Sequence, residues 1–383
     1  MILPPATLGV LGGGQLGRMF ALAARKMGYK VIVLDPDPLC PAAAIANEHL
    51  QREYIDAEAI DYLAKHCAAV TTEFENVPVA SLHALETQCV VRPGATAVLW
   101  AQDRIREKTF IRNFHMATAP FYPVRDAAEL GTALTQIKLP ALLKTAELGY
   151  DGKGQHLVTD AAQARAAFTE MRGVPCVLEQ RVDLKMELSV LLARSCSGEI
   201  TLYPLAENIH ANGILDTTIV PARVSAGVAQ SANEIACELA ELLSYCGVMA
   251  VEFFLTHDDE LLINEIAPRP HNSGHYTLDA CVTDQFEQQV RALCELPLGD
   301  SRLVSPVVMI NLLGDLWQNG SPVWDVLFRH PDARLHLYGK HEARPGRKMG
   351  HCNLLATEVE DALRIADEIR QALFAEEKKA SYA

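Results

Sequence analysis

Two glycine-rich loops in different settings constrain this chain more than any other feature. Gly12-Gly13-Gly14-Gln15-Leu16-Gly17 stands between residues 7–11 (TLGVL), which read as a strand, and a helix from Gln15 to Met27. Gly149-Tyr150-Asp151-Gly152-Lys153-Gly154-Gln155 stands instead between two strands, residues 139–144 (LPALLK) and the HLVT stretch that follows. The first setting continues into a β-branched strand from Tyr29 to Leu34, ending at Asp35. A third strand follows from Ala68 to Thr71, so this part builds a parallel sheet. The second lies in a mixed region, with strands expected at 175–182, 187–193, 248–255 and 261–267 and helical periodicity near 160–172, 231–245 and 283–294. The chain therefore combines α/β and α+β character. Pro93-Gly94 marks one boundary, and a last segment begins near Arg302 with the strand VVMINLL, a strand around His336 to Tyr338 and a closing helix from about Glu358 to Phe374.

Length and charge limit the function. At roughly 100–200 residues per domain, 383 residues make two or three domains. The 34 basic and 48 acidic residues leave a net charge of -14 with no offsetting basic stripe, which argues against a nucleic-acid duplex as partner. A local basic cluster can still hold a small anion. No apolar run approaches the ~20 residues needed to span a bilayer, and the N-terminus lacks the basic region of a secretory signal. None of the ten cysteines forms a CxxC pair, so buried free thiols in a reducing cytosol are expected, without zinc and without a disulfide framework.

The first loop fits GxGxxG, with Asp35 at the end of the next strand. Taken alone it admits a nicotinamide or flavin dinucleotide, another phosphate-bearing ligand, or a structural turn. The second loop is no P-loop, because no helix follows it. It suits a flap whose amides fold over a polyphosphate, with Lys144 adding charge, or else a hairpin turn. GVMAVEFFLTHDDELLINEIAPRP reads as two strands. With Asp258-Asp259 as a two-residue turn, Glu252 falls opposite Glu265. Like charges opposed in a sheet are unfavourable unless a cation bridges them. Magnesium on nucleotide phosphates is the natural bridge, with Asn264 as a further oxygen, and an exposed acidic hairpin is the alternative. In the donor-rich loop from Ala267 to His275, Arg269 and His271 can hold a small oxyanion.

These parts together resemble the ATP-grasp superfamily, and within it the 5-(carboxyamino)imidazole ribonucleotide synthases of purine biosynthesis. The resemblance runs nearly end to end. It rests on GGGQLGRM (12–19), TEFENV (72–77), LKTAELGYDGKGQ (143–155), EQRVDLKMELSV (179–190), ENIHANGILDTTIVPAR (207–223), NEIAPRPHNSGH (264–275) and GRKMGH (346–351). It implies an ATP-grasp fold with a Rossmann-like unit at 1–95, an ATP-grasp unit at 96–300 with a flap subdomain at about 115–180, and a C-terminal unit at 301–383.

The resemblance also implies roles. Arg104 and Lys144 would contact the ATP phosphates, under the flap Gly149, Tyr150, Asp151, Gly152, Lys153, Gly154 and Gln155. Glu179, Gln180, Arg181 and Val182 would form the hinge at the adenine, Glu187 would hold the ribose, and His210 would approach the nucleotide. Glu252 and Glu265 would bind magnesium beside Asn264. Gly14, Gln15, Leu16 and Glu75 would face the aminoimidazole ribonucleotide, with Asn272 and Ser273. Lys340, Arg347 and Lys348, in a basic cluster with Arg344, would clamp its 5′-phosphate. Arg269 and His271 would orient bicarbonate or carboxyphosphate, and Tyr150 and Asp151 would border the imidazole. Lys153 stands where Arg is common, keeping charge but losing the bidentate fork. The implied reaction is ATP- and bicarbonate-dependent carboxylation of the exocyclic amine through carboxyphosphate, in a cytoplasmic homodimer. The competing readings are a formate-using glycinamide ribonucleotide transformylase and an NAD-dependent oxidoreductase. GGGQLG and GYDGKGQ speak against the first, and the second leaves Glu252 and Glu265 without a purpose.

Overall fold

The computed structural model describes residues 1–149, 152–318 and 320–380, with side chains through 373. It contains three sheets. The N-terminal one is parallel, in the spatial order Glu48–Leu50, Lys30–Leu34, Thr7–Leu11, Ala69–Thr72, Val90–Val91. The apolar runs of these strands are buried, as a sheet covered on both faces requires. Thr7–Leu11 pairs with Lys30–Leu34 on one side and Ala69–Thr72 on the other, so the strand order reverses there. A crevice opens beyond the carboxyl end of such a strand, and the first glycine loop occupies that place. The following helix, Gln15–Lys26, buries Met19, Phe20, Ala23 and Ala24 in a core shared with Phe286, Val290 and Leu293 of the helix Gln285–Leu293. That shared core ties the N-terminal sheet to the rest of the molecule.

The flap sheet is antiparallel, in the order Phe121–Val124, Cys176–Gln180, Ala141–Thr145, Gln155–Val158. The helices Ala127–Gln136 and Ala161–Glu170 cover it, capped by Asp126 and Asp160, whose carboxylates accept the otherwise unpaired first-turn amides. The second glycine loop joins Ala141–Thr145 to Gln155–Val158.

The central sheet has nine strands. Leu261–Ala267, Gly247–Thr256, Leu184–Arg194, Ala206–Ala211 and Ile214–Val220 are followed by Val307–Leu313, Lys348–Leu355 and Ala333–Leu337, and the ninth strand, Ile200–Leu202, pairs with Leu184–Arg194 off this path. The C-terminal segment thus continues this sheet. Alternation along Leu184–Arg194 and Gly247–Thr256 separates two faces. Leu188, Val190 and Leu192 pack with Met249, Val251 and Phe253 against the helix Ala226–Leu242. Glu187, Ser189 and Glu252 therefore point the other way, where the reactive groups gather.

Two expectations need correction. The hairpin carrying the carboxylates turns through three residues, His257 to Asp259, since the Thr256 amide donates to the Glu260 carbonyl and Asp259 takes φ 60°. Phe253 then faces Ile263, and a bulge at Asn264 restores Glu252 opposite Glu265. The pairing holds although the assumed turn does not. The cysteines are also not all free: Cys196 and Cys246 form a disulfide, Cα atoms 5.1 Å apart. The register Arg194↔Gly247 brings them together just beyond the paired strand ends. Separated by 50 positions, they carry no spacing signal.

Candidate active site

The three sheets enclose one cleft of about 1720 Å³. Of the sequence-derived site residues, Tyr150 and Asp151 lie outside the described residues. Of the others, all but Gly154 and Ser273 line this cleft. Gly154 packs against Thr145.

At the inner end, Asp103 caps the helix Arg104–Asn113, accepting from the amides of Ile105 and Arg106. Arg104, Glu107 and Lys108 fall at helical spacings i, i+3 and i+4, hence on one face. Lys108 is fully buried, its Nζ 2.6 Å from Glu179 Oε2, and it also donates to the Asn264 carbonyl. Lys144 Nζ donates to the other Glu179 oxygen at 2.5 Å. Burial alone would raise the Glu179 pKa, but the two ammonium groups hold it at about 2. The hinge carboxylate expected to meet the adenine is thus a tether between two lysines.

Glu252 and Glu265 stand opposed beside these cations. Arg104 donates to Glu265 at 2.9 Å, and its charge outweighs burial to keep Glu265 at about 2. Glu252 is pushed up to about 7, by burial first and then by the Glu265 charge. Asn264 lies on the bulge, its amide nitrogen 3.4 Å from Glu252 and its buried Oδ1 without a hydrogen-bond partner among the described residues. A crowded carboxylate pair and an orphaned carbonyl oxygen fit a hard divalent cation. Among the described residues no cluster of three His, Cys, Asp or Glu side chains exists to form a metal cage, so phosphate and water would complete the coordination.

Arg269 and His271 follow on the loop after Leu261–Ala267. Arg269 Nε donates to Glu75 at 2.5 Å, bridging to the N-terminal unit. His271 Nε2 lies 3.4 Å from Glu252. Burial, and then the Arg269 charge, push the His271 pKa down to about 3, so the ring is neutral. Asn272 lines the cleft and exchanges two hydrogen bonds with Asn311. Ser273 does not reach the cleft. Its hydroxyl lies behind His271, between Nδ1 and Ser189, because the turn Asn272–Gly274 directs it inward. His210 Nδ1 sits 2.8 Å from Glu187, pairing the two residues expected at the nucleotide.

The first glycine loop departs furthest from expectation. Its amides do point at an anion, but the anion is the protein's own. Gly14 and Gly17 donate to the two Glu73 oxygens at 2.5 and 2.6 Å, and Gly13 donates to Asp35 at 2.6 Å. Asp35, the residue a dinucleotide ribose would use, also accepts from Tyr54 and from the Asp37 amide. The nicotinamide reading fails on this geometry, and so does a phosphate held by these amides. Gln15 remains directed to the cleft. Its Oε1 accepts from Lys340 Nζ at 2.7 Å, and Lys340 also donates to the Lys348 carbonyl. The basic segment is thereby brought against the first loop. Arg347 is steadied by the Glu342 carbonyl, and Arg344 joins the cleft wall.

The described end of the flap loop meets the turn between Ala206–Ala211 and Ile214–Val220. Gly152 and Gly213 both take positive φ and meet so tightly that a Cβ on Gly213 would lie 3.0 Å from the Gly152 Cα. Sequence reasoning missed Glu73, Glu107 and Lys108. Glu73 stands inside TEFENV, and Lys108 one helical turn after Arg104, which is the only signal either carries.

A glycine flap over a lysine on a strand, with opposed carboxylates on the neighbouring sheet, defines an ATP-grasp enzyme. The ATP-grasp domain model matches residues 109–286, the ribonucleotide synthetase preATP-grasp domain residues 5–102, and the phosphoribosylaminoimidazole carboxylase C-terminal domain residues 307–365. The chain is 46% identical over 355 residues to the N5-carboxyaminoimidazole ribonucleotide synthase of Bacillus subtilis, covering 93% of each. Against that of Brucella melitensis it is 44% identical over 350 residues, covering 91% of this chain and 96% of the relative. A crystal structure of an N5-carboxyaminoimidazole ribonucleotide synthetase as its ADP complex superimposes with a TM-score of 0.93 at 43% identity, covering 99% of each chain. The Aspergillus clavatus synthase, in complex with ADP and 5-aminoimidazole ribonucleotide, gives 0.88 at 31% identity, covering 96% of this chain and 98% of that one. The chain belongs to the N5-carboxyaminoimidazole ribonucleotide synthase family and is an ATP-dependent ligase.

Proposed function

We propose that this chain carboxylates the exocyclic amine of 5-aminoimidazole ribonucleotide, using ATP and bicarbonate and releasing ADP and phosphate. The observation that carries this reading is the continuity of the cleft, from Lys144 and the opposed carboxylates to the Gln15–Lys340 contact. ATP would lie with its phosphates between Lys144, Arg104 and the flap, its adenine at the hinge 179–182 and its ribose at Glu187 and His210. Glu252, Glu265 and Asn264 would hold magnesium, which when bound neutralises phosphate charge. Bicarbonate oxygen attacks the γ-phosphorus, the bond to the β-phosphate oxygen breaks, and carboxyphosphate and ADP result. Such a transfer asks the protein mainly for position and charge. Arg269 and His271 orient the bicarbonate. Closure of the flap excludes water from the short-lived carboxyphosphate. This breaks to carbon dioxide and phosphate, and the ribonucleotide amine attacks the carbon, with phosphate or a neighbouring base taking the proton. Lys340, Arg347 and Lys348 hold the 5′-phosphate, Gln15 and Glu75 face the ribonucleotide, Tyr150 and Asp151 border the imidazole, and Lys153 adds charge on the flap.

We keep the division into units 1–95, 96–300 and 301–383, and from the family resemblance we expect a cytoplasmic homodimer, which light scattering on the purified protein would test. No described helix is long and apolar enough to cross a membrane. The deciding assay is ADP release that requires both bicarbonate and the ribonucleotide. Release supported by formate, or any nicotinamide absorbance change, would overturn the proposal.

A further inference from the structure

Behind His271 runs a line of four buried polar side chains that the mechanism above does not use. The Thr218 hydroxyl donates to Asn208 Oδ1 at 3.0 Å, and Asn208 Nδ2 donates to Ser189 Oγ at 3.0 Å. Ser189 donates to Ser273 Oγ at 2.8 Å, and Ser273 Oγ lies 2.9 Å from His271 Nδ1. The strand register explains the line. Asn208 is directly opposite Thr218, and Ser189 directly opposite Glu252, so these side chains share the cleft-side face of the central sheet. Thr218 is 0% exposed, Ser189 and Ser273 1% and Asn208 4%. At such depth Val or Ala would satisfy packing alone, and neutral polar groups are costly unless every one is bonded.

The direction of the line is set at its His271 end. The Ser273 backbone N–H donates to Nδ1 at 3.3 Å. An amide nitrogen has only a proton to give, so Nδ1 carries none and the ring proton resides on Nε2. Ser189 already donates into Ser273 Oγ, so the Ser273 proton is also turned toward Nδ1. We propose that Ser273, Ser189, Asn208 and Thr218 form a one-way hydrogen-bond relay that positions His271 with its Nε2–H aimed at Glu252 and the bicarbonate pocket. All four are positioning residues, since they act only through His271. One consequence reaches the chemistry: His271 presents a donor, suited to an oxygen of bicarbonate or carboxyphosphate, and is not the base that takes the amine proton. The inference rests on the carboxylation reading for the identity of that oxyanion, though not for the state of the ring.

Two measurements test it. In protein labelled with 15N-histidine, the His271 signals are those lost in His271→Gln. They should show a bare, hydrogen-bonded Nδ1 and a protonated Nε2. In Ser273→Ala the Nδ1 signal should move toward that of an imidazole nitrogen accepting weaker hydrogen bonds. In the isosteric Thr218→Val, kcat/KM for bicarbonate should fall about two- to tenfold, the range of one hydrogen bond, with KM for ATP unchanged. Thr218→Ser, which keeps the hydroxyl, should recover most of the loss, and Ser189→Ala should repeat it should Thr218→Val not fold. A protonated Nδ1 in the parent protein would overturn the relay, as would equal losses for ATP and bicarbonate or no loss at all. Absence of bicarbonate-dependent turnover in the parent would instead overturn the proposed function, and the nitrogen signals would still decide the relay.

Discussion

Lys108 and Glu179 form a fully buried ion pair at 2.6 Å, and the same carboxylate holds Lys144 from its other side. One carboxylate between two lysines fixes where Lys144 can point. The arrangement also joins the flap sheet, which carries Lys144 and Glu179, to the helix carrying Arg104. On the proposed ATP placement, phosphate position would depend on a residue, Lys108, that lies beyond the cleft wall.

Lys108→Met should show this. The substitution removes one of two cations and leaves Glu179 paired with Lys144 alone, so the loss should fall below the roughly 3–5 kcal/mol typical of a buried pair left with an uncompensated charge. Glu179 would then draw more strongly on Lys144 and reduce its charge toward ATP. The expected result is a clear drop in Tm together with a raised KM for ATP. Lys108→Met/Glu179→Gln would leave the buried Lys144 without its counter-ion and should be less stable than the single variant, again with a raised KM for ATP. A double variant whose losses simply add would show that the pair is not coupled.

Glu107 offers a test by pH. It is buried, accepts from the Ile266 amide at 2.6 Å, and has its pKa pushed up to about 8 by burial and then by the Glu265 charge. An unfolded glutamate titrates near 4.3. Between that value and about 8 the native state binds the extra proton, so this group makes stability fall as pH rises through the window. Glu107→Gln keeps the acceptor and removes the titration. Urea unfolding should find the variant and parent similar near pH 4.5, and the variant more stable at pH 8 by roughly 1–3 kcal/mol. Stability curves that stay parallel across this range would mean that Glu107 is not held protonated.

Much of the site is legible in the sequence because its chemistry is local. GYDGKGQ, the hairpin carboxylates and the basic segment each announce a role within a few residues. What escapes are partners distant in the chain. Glu73 fills the amide nest of a loop 59 positions away from it, so the motif shows an anion site but not that a carboxylate of the chain occupies it. Cys196 and Cys246 meet only through strand register. The Glu252–Glu265 pairing is instructive in another way. A two-residue turn predicts it, a three-residue turn would lose it, and the bulge at Asn264 recovers it. The bulge leaves Asn264 lining the cleft beside the pair, its amide nitrogen 3.4 Å from Glu252.

The flap contact predicts a coupling defect. Gly213 has φ +78°, and an added Cβ would press on the Gly152 Cα. Gly213→Ala should cost about 1–2 kcal/mol in stability from the left-handed backbone alone. More tellingly, it should hold the flap away from the facing turn and admit water to carboxyphosphate. The ratio of ADP released to ribonucleotide carboxylated should rise above one. A ratio that stays at one with lowered kcat would assign the contact to strain alone.

The basic cluster gives the sharpest separation between the two substrates. Lys340 reaches across 325 positions to Gln15 and also steadies the Lys348 carbonyl, so the segment 340–348 is held against the first loop. Arg347 donates from its guanidinium to the Glu342 carbonyl and lines the cleft. A phosphomonoester carries nearly two negative charges, and in a chain of net charge -14 only a local concentration of cations can hold it. A hydrogen bond to a charged group is worth about 1.5–3 kcal/mol, so Arg347→Ala should weaken ribonucleotide binding roughly ten- to a hundredfold. The phosphate is remote from the reacting amine and is held alike in ground and transition states, so KM for the ribonucleotide should rise while kcat changes little. Lys340→Met should do more, because it also releases Gln15 from its fixed orientation; its effect should reach kcat. The proposed ATP contacts come from the flap, the hinge and Arg104, so KM for ATP should be unchanged in both variants. Titration of each variant with ADP and with the ribonucleotide separates these outcomes, and equal weakening of both ligands would reduce the cluster to an ordinary solvated face.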